Sequence, residues 1–234
     1  MILRALACAV GVASLLSASP AIRAQSSIPG TIPIFPLEVT MLFPGVERPL
    51  HIFEARYRAM VADALKGDRI IGMTTFKPGY EANYHGRPPI YDIGCAGIIT
   101  DVEELSGGRF NIVLRGVMKF RVTGEDESRS YRLARVVAVP EVLDETEKAL
   151  LRKYRERLEE LITKGSDSKV APGTSDEELV NTVAQHLPLG LAERQALLES
   201  KNALSRAQAL IELIESKTRP RVVAFDLPSA RPLR

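Results

Sequence analysis

Arg109-Phe110-Asn111-Ile112-Val113-Leu114-Arg115-Gly116-Val117-Met118-Lys119-Phe120-Arg121-Val122-Thr123 decides how the first part of this chain folds. Phe110, Ile112 and Leu114 alternate with Asn111 and Arg115; Met118, Phe120 and Val122 alternate with Lys119, Arg121 and Thr123. A period of two sends successive side chains to opposite faces, so the stretch reads as strand. Ile93 to Val102 is a second apolar run, and Ser106-Gly107-Gly108 lies between the two. Adjacent glycines supply the positive φ values a tight reversal needs, which makes this a hairpin.

The pattern extends on both sides. Ile70 to Phe76 reads as a strand, followed by a polar loop from Lys77 to Asp92. Ile32 to Phe35 is short and punctuated by Pro33 and Pro36, which places it at a sheet edge or a bulge. Phe43-Pro44-Gly45 marks a turn, and Pro49 to Phe53 continues extended. Tyr131 to Val139 closes the set, with Arg135 interrupting one face. Between these strands the period changes once. Tyr57, Met60, Val61, Ala64 and Leu65 share one face of a helix over Glu54 to Leu65, and Gly67 ends it. Several short strands with one early helix predict a small, strongly bent sheet or barrel.

After Pro140 the signals turn helical. Asp144 with Glu147 can cap a helix whose apolar stripe is Leu150, Leu151, Tyr154, Leu158, Leu161 and Ile162. Its charged outer face reads as a solvated surface. Lys164 to Gly173 reads as a flexible connection. Ser175-x-x-Glu178 is a capping box before Leu179, Val180, Val183 and Leu187, and two more helices cover Leu191 to Glu199 and Ala203 to Lys217. The fold class is therefore α+β.

Composition narrows the function classes. The 234 residues are 45% hydrophobic and 26% charged, with 31 Lys and Arg against 29 Asp and Glu. That describes a water-soluble globular protein without the basic field that draws a chain onto nucleic acid or anionic lipid. The absence of Trp weakens readings built on aromatic stacking of bases or sugars. Met1 to Arg4 give a basic start, Ala5 to Leu16 an apolar run, and Ser17 to Ser19 a small-residue end before Pro20. This is the layout of a secretory signal, with Ala24 as the expected cleavage end. The run is too short to span a membrane core about 30 Å thick, so no stable anchor is expected. Residues 1–24 are read as signal peptide and the protein as exported, in the periplasm, or cytoplasmic if this segment is not a signal. Cleavage would leave Cys95 as the one cysteine, so no internal disulfide is expected. Its apolar neighbours favour a small buried hydrophobe over a reactive thiol.

Three stretches carry a family resemblance. Ile32-Pro33-Ile34-Phe35-Pro36-Leu37, Leu42-Phe43-Pro44-Gly45 and Pro49-Leu50-His51-Ile52-Phe53-Glu54-x-Arg56-Tyr57 together resemble the opening of the Lon protease N-terminal, substrate-binding domain. The likeness continues through Ile93-Gly94-Cys95, Leu114-Arg115-Gly116-x-x-Lys119-Phe120-Arg121-Val122, Leu187-Pro188-Leu189 and Glu193 to Glu199, from about Thr31 to Glu215. The resemblance implies a PUA-like β-barrel over 25–140 and a C-terminal helical bundle over 141–217, two halves of one domain, with a flexible tail over 218–234. It also implies recognition of protein substrates. The motif positions read as architectural, with Ile52, Phe53 and Tyr57 filling a core.

Lon proteases add an ATPase and a Ser-Lys protease module. No G-x-x-x-x-G-K-[ST] phosphate cradle and no Ser-Lys arrangement in that context is found, so a stand-alone, non-enzymatic member is expected. His51, His85 and His186 lack companion spacing for a triad or a metal, and His51-x-x-Glu54 lacks a second His; no catalytic residue, cofactor or metal is assigned. The loop from Lys77 to Tyr91 carries Tyr80, Tyr84 and Tyr91. They are the candidate contacts for a client polypeptide, against the alternative that their rings fold back on the barrel. The expected partners are unfolded or damaged polypeptides, with a separate protease as a further candidate. The competing readings are small-molecule or nucleic-acid binding by a PUA-like barrel, and a hydrolase with an unrecognised site.

Overall fold

The computed structural model describes residues 28–80, 86–165 and 170–218. The signal-like segment 1–24, Tyr84, His85 and most of the tail lie outside the described residues.

Among the described residues, six strands and five helices follow in the order β1 (Thr31–Leu37), β2 (Glu47–Ile52), α1 (Ala55–Lys66), β3 (Ile70–Thr75), β4 (Ile93–Leu105), β5 (Arg109–Asp126), β6 (Arg132–Val139), α2 (Glu145–Gly165), α3 (Asp176–His186), α4 (Leu191–Glu199) and α5 (Ala203–Thr218). The strands pair in the order β2-β5-β4-β3-β1-β6, and β6 pairs again with β5. The pairings β5–β4–β3–β1–β6–β5 therefore form a closed circuit, with β2 laid along β5. The β4–β5 hairpin turns at Gly107 and Gly108, whose φ values of 76° and 68° an L side chain rarely adopts.

β1 departs from expectation. It is an interior strand, antiparallel to β6 through Thr31–Ile34 and parallel to β3 through Ile34–Leu37. Pro33 and Pro36 each lie where the strand is paired on one side only, so a missing N–H facing the other side costs no ladder bond. β6 also differs. Arg135 points outward, while Arg132, Ala134 and Val136 face inward. Phe53, expected in the core, is 61% exposed, because β2 ends at Ile52 and the parity leaves Ile52 inside. Tyr57 is buried as expected, and Leu150 lies at the exposed rim of the α2 stripe.

Among the described residues two apolar clusters result. Ile32, Ile34, Phe76, Ile90, Ala96, Phe120, Ala134 and Val136 form one among the strands. The larger joins Leu42, Phe43, Met60, Leu114, Leu158, Val180, Leu197, Leu210 and their neighbours, from both strands and helices. Among the described residues, the helical half thus shares its core with the strand half.

The seam is also held by buried polar groups. Asn181 and Gln185, one turn apart on α3, grip the turn before β2. Asn181 donates to the Pro44 carbonyl at 2.8 Å, Gln185 donates to the Glu47 carbonyl at 2.9 Å, and Gln185 accepts from Phe43 N–H at 3.1 Å. Gly116 lets that turn approach β5: a Cβ there would lie 2.1 Å from the Phe43 carbonyl oxygen. From α4, Gln195 donates to the Ile93 carbonyl at 3.2 Å. Lys119, expected on a polar strand face, is 2% exposed. Its ammonium lies 2.8 Å from Glu141 and also donates to the Ser200 carbonyl. Glu141 accepts a two-pronged bond from the fully buried Arg206, which donates in addition to Leu197 O at 2.8 Å and Asn181 Oδ1 at 2.5 Å. A reciprocal capping box starts α2 and a single side-chain cap starts α3. Asp144 and Glu147 exchange backbone bonds of 3.0 and 2.7 Å, and Ser175 accepts from Glu178 N–H at 3.1 Å.

Burial raises the Glu141 carboxyl, but hydrogen bonds and charge from Arg206 and Lys119 outweigh it and hold the group below the usual carboxylate range. A carboxyl depressed on folding contributes stability above its unfolded value and loses it as pH falls through the folded one. Glu141→Gln should therefore cost about 3–5 kcal/mol at pH 7, the cost of breaking a buried ion pair. Denaturant curves at pH 7 and pH 3 should show the gap between variant and parent shrinking at pH 3. Phe53→Ala should shift stability by no more than about 0.5 kcal/mol, whereas Phe43→Ala should cost about 3–5 kcal/mol; chemical denaturation of both variants checks the contrast.

Candidate functional site

Tyr80 follows Gly79, whose φ of 90° turns the chain just beyond β3. The arms of the loop zip together beneath it: Lys77 N–H donates to the Pro89 carbonyl at 2.8 Å and Tyr91 N–H to the Thr75 carbonyl at 2.9 Å. A Lys77–Asp92 ion pair at 3.7 Å spans the same neck. These contacts hold Tyr80, 46% exposed, over a hollow of about 190 Å³ lined by Glu38, Val39, Phe76, Lys77, Pro78, Tyr80 and Leu191.

The far wall comes from two other elements. Val39, 67% exposed, lies in the loop after β1, and Leu191 opens α4. Arg194 on α4 fixes their relation, since its guanidinium donates to the Val39 carbonyl at 2.7 Å and the Leu189 carbonyl at 3.1 Å. The α4 start is itself capped, with Glu193 accepting from Gly190 N–H at 2.8 Å. The hollow therefore joins one exposed Val, one half-exposed Tyr and the buried face of Phe76 on braced backbone. Such a surface offers contact area and one phenolic hydroxyl.

The three tyrosines named from sequence do not converge. Tyr80 lines the hollow, Tyr91 belongs to the zipped neck with its carbonyl accepting from Thr74 Oγ1 at 2.9 Å, and Tyr84 lies outside the described residues. Val39 and Leu191 were missed. Neither belongs to an aromatic or charged pattern, and they meet only through the tertiary path of the chain.

The other chemistry-bearing residues have structural partners. Cys95 is fully buried, and burial pushes its thiol up to about 12, so it stays protonated and packs as a hydrophobe. His51, exposed on β2, lies 2.7 Å from Asn111 Oδ1 and stacks beside Phe53 at 6.0 Å between ring centres. His186 ends α3 with Nδ1 2.9 Å from the Thr182 carbonyl. A wider hollow of about 590 Å³ borders the seam, with Val117, Val139, Glu177 and Glu178 among its walls.

Comparison with known proteins gives this arrangement its class. Residues 31–216 match the family model of the ATP-dependent protease La (LON) substrate-binding domain, and the chain belongs to that family. It is 28% identical over 213 residues to Lon protease 2 of Myxococcus xanthus, a match covering 86% of this chain and 25% of that protein. It is 26% identical over 211 residues to the Lon protease of Anaeromyxobacter dehalogenans, covering 85% of this chain and 24% of the relative. The chain thus spans about a quarter of the length of these relatives. The N-terminal domain of a Mycobacterium avium complex Lon protease shares the fold, with a TM-score of 0.62 at 19% identity over 79% of this chain and 98% of that one. A Lon N-terminal domain protein from Xanthomonas campestris does so at a TM-score of 0.54 and 22% identity, over 78% and 97%.

Proposed function

We propose that this chain is a non-enzymatic polypeptide-binding module, which holds exposed apolar segments of unfolded or damaged chains in the hollow between Val39, Tyr80 and Leu191. One observation carries the reading. Apolar side chains stand exposed there on a frame whose hydrogen bonds come from three separate elements. A braced apolar surface captures without reordering, so less of the contact energy is lost to entropy. Membership of a substrate-binding family supports the same reading. The closed circuit of pairings supports reading the strand half as a small PUA-like barrel, and the contacts of α5 with α2, α3 and α4 support a C-terminal bundle. Delivery to a separate protease fits a module of this kind. A small ligand is the competing occupant, and nucleic acid is disfavoured by the near balance of 31 basic and 29 acidic residues.

Export to the periplasm, with cleavage after Ala24, belongs to the same proposal and rests on the layout of residues 1–24. Mass spectrometry of the native protein should find an N-terminus at Gln25; an intact Met1 would refute it.

A carboxymethylated, fluorescent, permanently unfolded polypeptide should bind the purified protein with little dependence on salt. Combined Val39→Ser and Tyr80→Ala should weaken binding roughly tenfold, the equivalent of about 1.4 kcal/mol, with the melting temperature nearly unchanged. Equal binding by parent and variant would remove the hollow from the proposal, and no binding by the parent would overturn it.

A further inference from the structure

Phe76 separates the apolar hollow from a second cavity, of about 210 Å³, with a different chemistry. Arg56, Arg87 and Arg132 line it together with Tyr57 and Tyr131. The three guanidiniums come from three places: the first turn of α1, the loop after β3, and the first residue of β6. Bringing three like charges to one small cavity is unfavourable unless anions compensate them.

The three arginines differ in their partners. Arg132 is 6% exposed, with Glu125 at 2.8 Å and the Pro88 carbonyl at 2.5 Å. Those bonds use two of its five N–H donors. Arg87 is exposed and donates to the carbonyls of Asp126 at 3.5 Å and Arg129 at 3.2 Å, with no carboxylate among its described contacts. Arg56 is met by Glu54 at 3.0 Å and lies over the Tyr57 ring, 4.6 Å from its centre. Among the described residues, two of the charges are thus matched by carboxylates and that of Arg87 is not. Burial holds Arg132 below its ordinary value, and Arg87 and Arg56 push in the same direction, as expected where positive charges share one space.

We infer that the cavity lined by Arg56, Arg87 and Arg132 is a binding site for a single carboxylate. One positive charge uncompensated among the described residues suits a monoanion better than a doubly charged phosphate. Planar guanidinium forks match the two oxygens of a carboxylate, and the Tyr57 and Tyr131 rings enclose the group bearing it. The carboxylate belongs either to a polypeptide, at a chain end or an acidic side chain, or to a free small acid. The site does not depend on capture in the neighbouring apolar hollow.

Calorimetric titration tests this with four probes on the full chain: sodium acetate, inorganic phosphate, and a short N-acetylated apolar peptide as its free acid and as its C-terminal amide. The free acid should bind at least fivefold more tightly than the amide, and acetate should compete with it. Arg87→Gln should abolish that difference while leaving the melting temperature within a few degrees, since Arg87 is exposed and makes two carbonyl contacts. Arg132→Gln should do the same; should it unfold, Arg87→Gln alone decides. Saturable acetate binding sensitive to Arg87→Gln, without preference for the acid peptide, assigns the site to free small acids. Phosphate binding more tightly than acetate overturns the monoanion assignment. No saturable binding of acetate or acid peptide, or binding indifferent to Arg87→Gln, overturns the site.

Discussion

Glu141 stands where the last strand gives way to the helices, and its carboxylate holds Lys119 of β5 and Arg206 of α5 at once. All three side chains lie in or beside the shared core, with Lys119 2% exposed and Arg206 fully buried. Any one of them left behind by a separated half would be a charge without its partner in a poorly solvated place. Pairing is therefore less a large net gain than a penalty for every arrangement but this one. Arg206 also lies over the Phe43 ring at 5.4 Å, and its bond to Asn181 continues to the Pro44 carbonyl. One ionic cluster thus links β5, the turn before β2, and helices α3 and α5.

The two candidate surfaces inherit their geometry from this seam. Fixing the helical half against the strands sets where α4 begins, so Leu191 comes to face Val39 and Tyr80. Arg194 then ties the Val39 loop to α4. The arginine-lined cavity lies on the other side of Phe76 and draws on α1 and β6. Apolar contact and carboxylate recognition side by side would suit a polypeptide segment presenting both.

Much of the fold is legible in local pattern. The β4–β5 hairpin follows from alternation around Gly107 and Gly108, α1 from the spacing of Tyr57, Met60, Val61 and Ala64, the start of α2 from the Asp144–Glu147 box, and that of α3 from the Ser175 cap, the one half of the expected Ser175–Glu178 box that forms. What is not legible depends on partners distant in sequence. Prolines in β1 read as an edge because the switch of partner at Ile34 leaves no local trace. Arg132 and Arg135 are equivalent by type, and only the register of β6 decides which faces inward. Lys119 reads as a solvated lysine until Glu141 and Ser200 cover it. Phe53 reads as core because it is aromatic, yet the strand ends one residue earlier. At the candidate site Tyr80 was visible as a tyrosine on a loop, whereas Val39 and Leu191, ordinary aliphatics 152 positions apart, were not.

The ionic seam makes strands and helices one cooperative unit. Native-state amide hydrogen exchange across a denaturant series tests it most directly, because it reads the opening free energy of each element separately. The slowest amides of β5 and α5 should open with the same free energy and denaturant dependence in the parent, and Glu141→Gln should let α5 open at lower free energy than β5. Separate opening of α5 in the parent protein would contradict it.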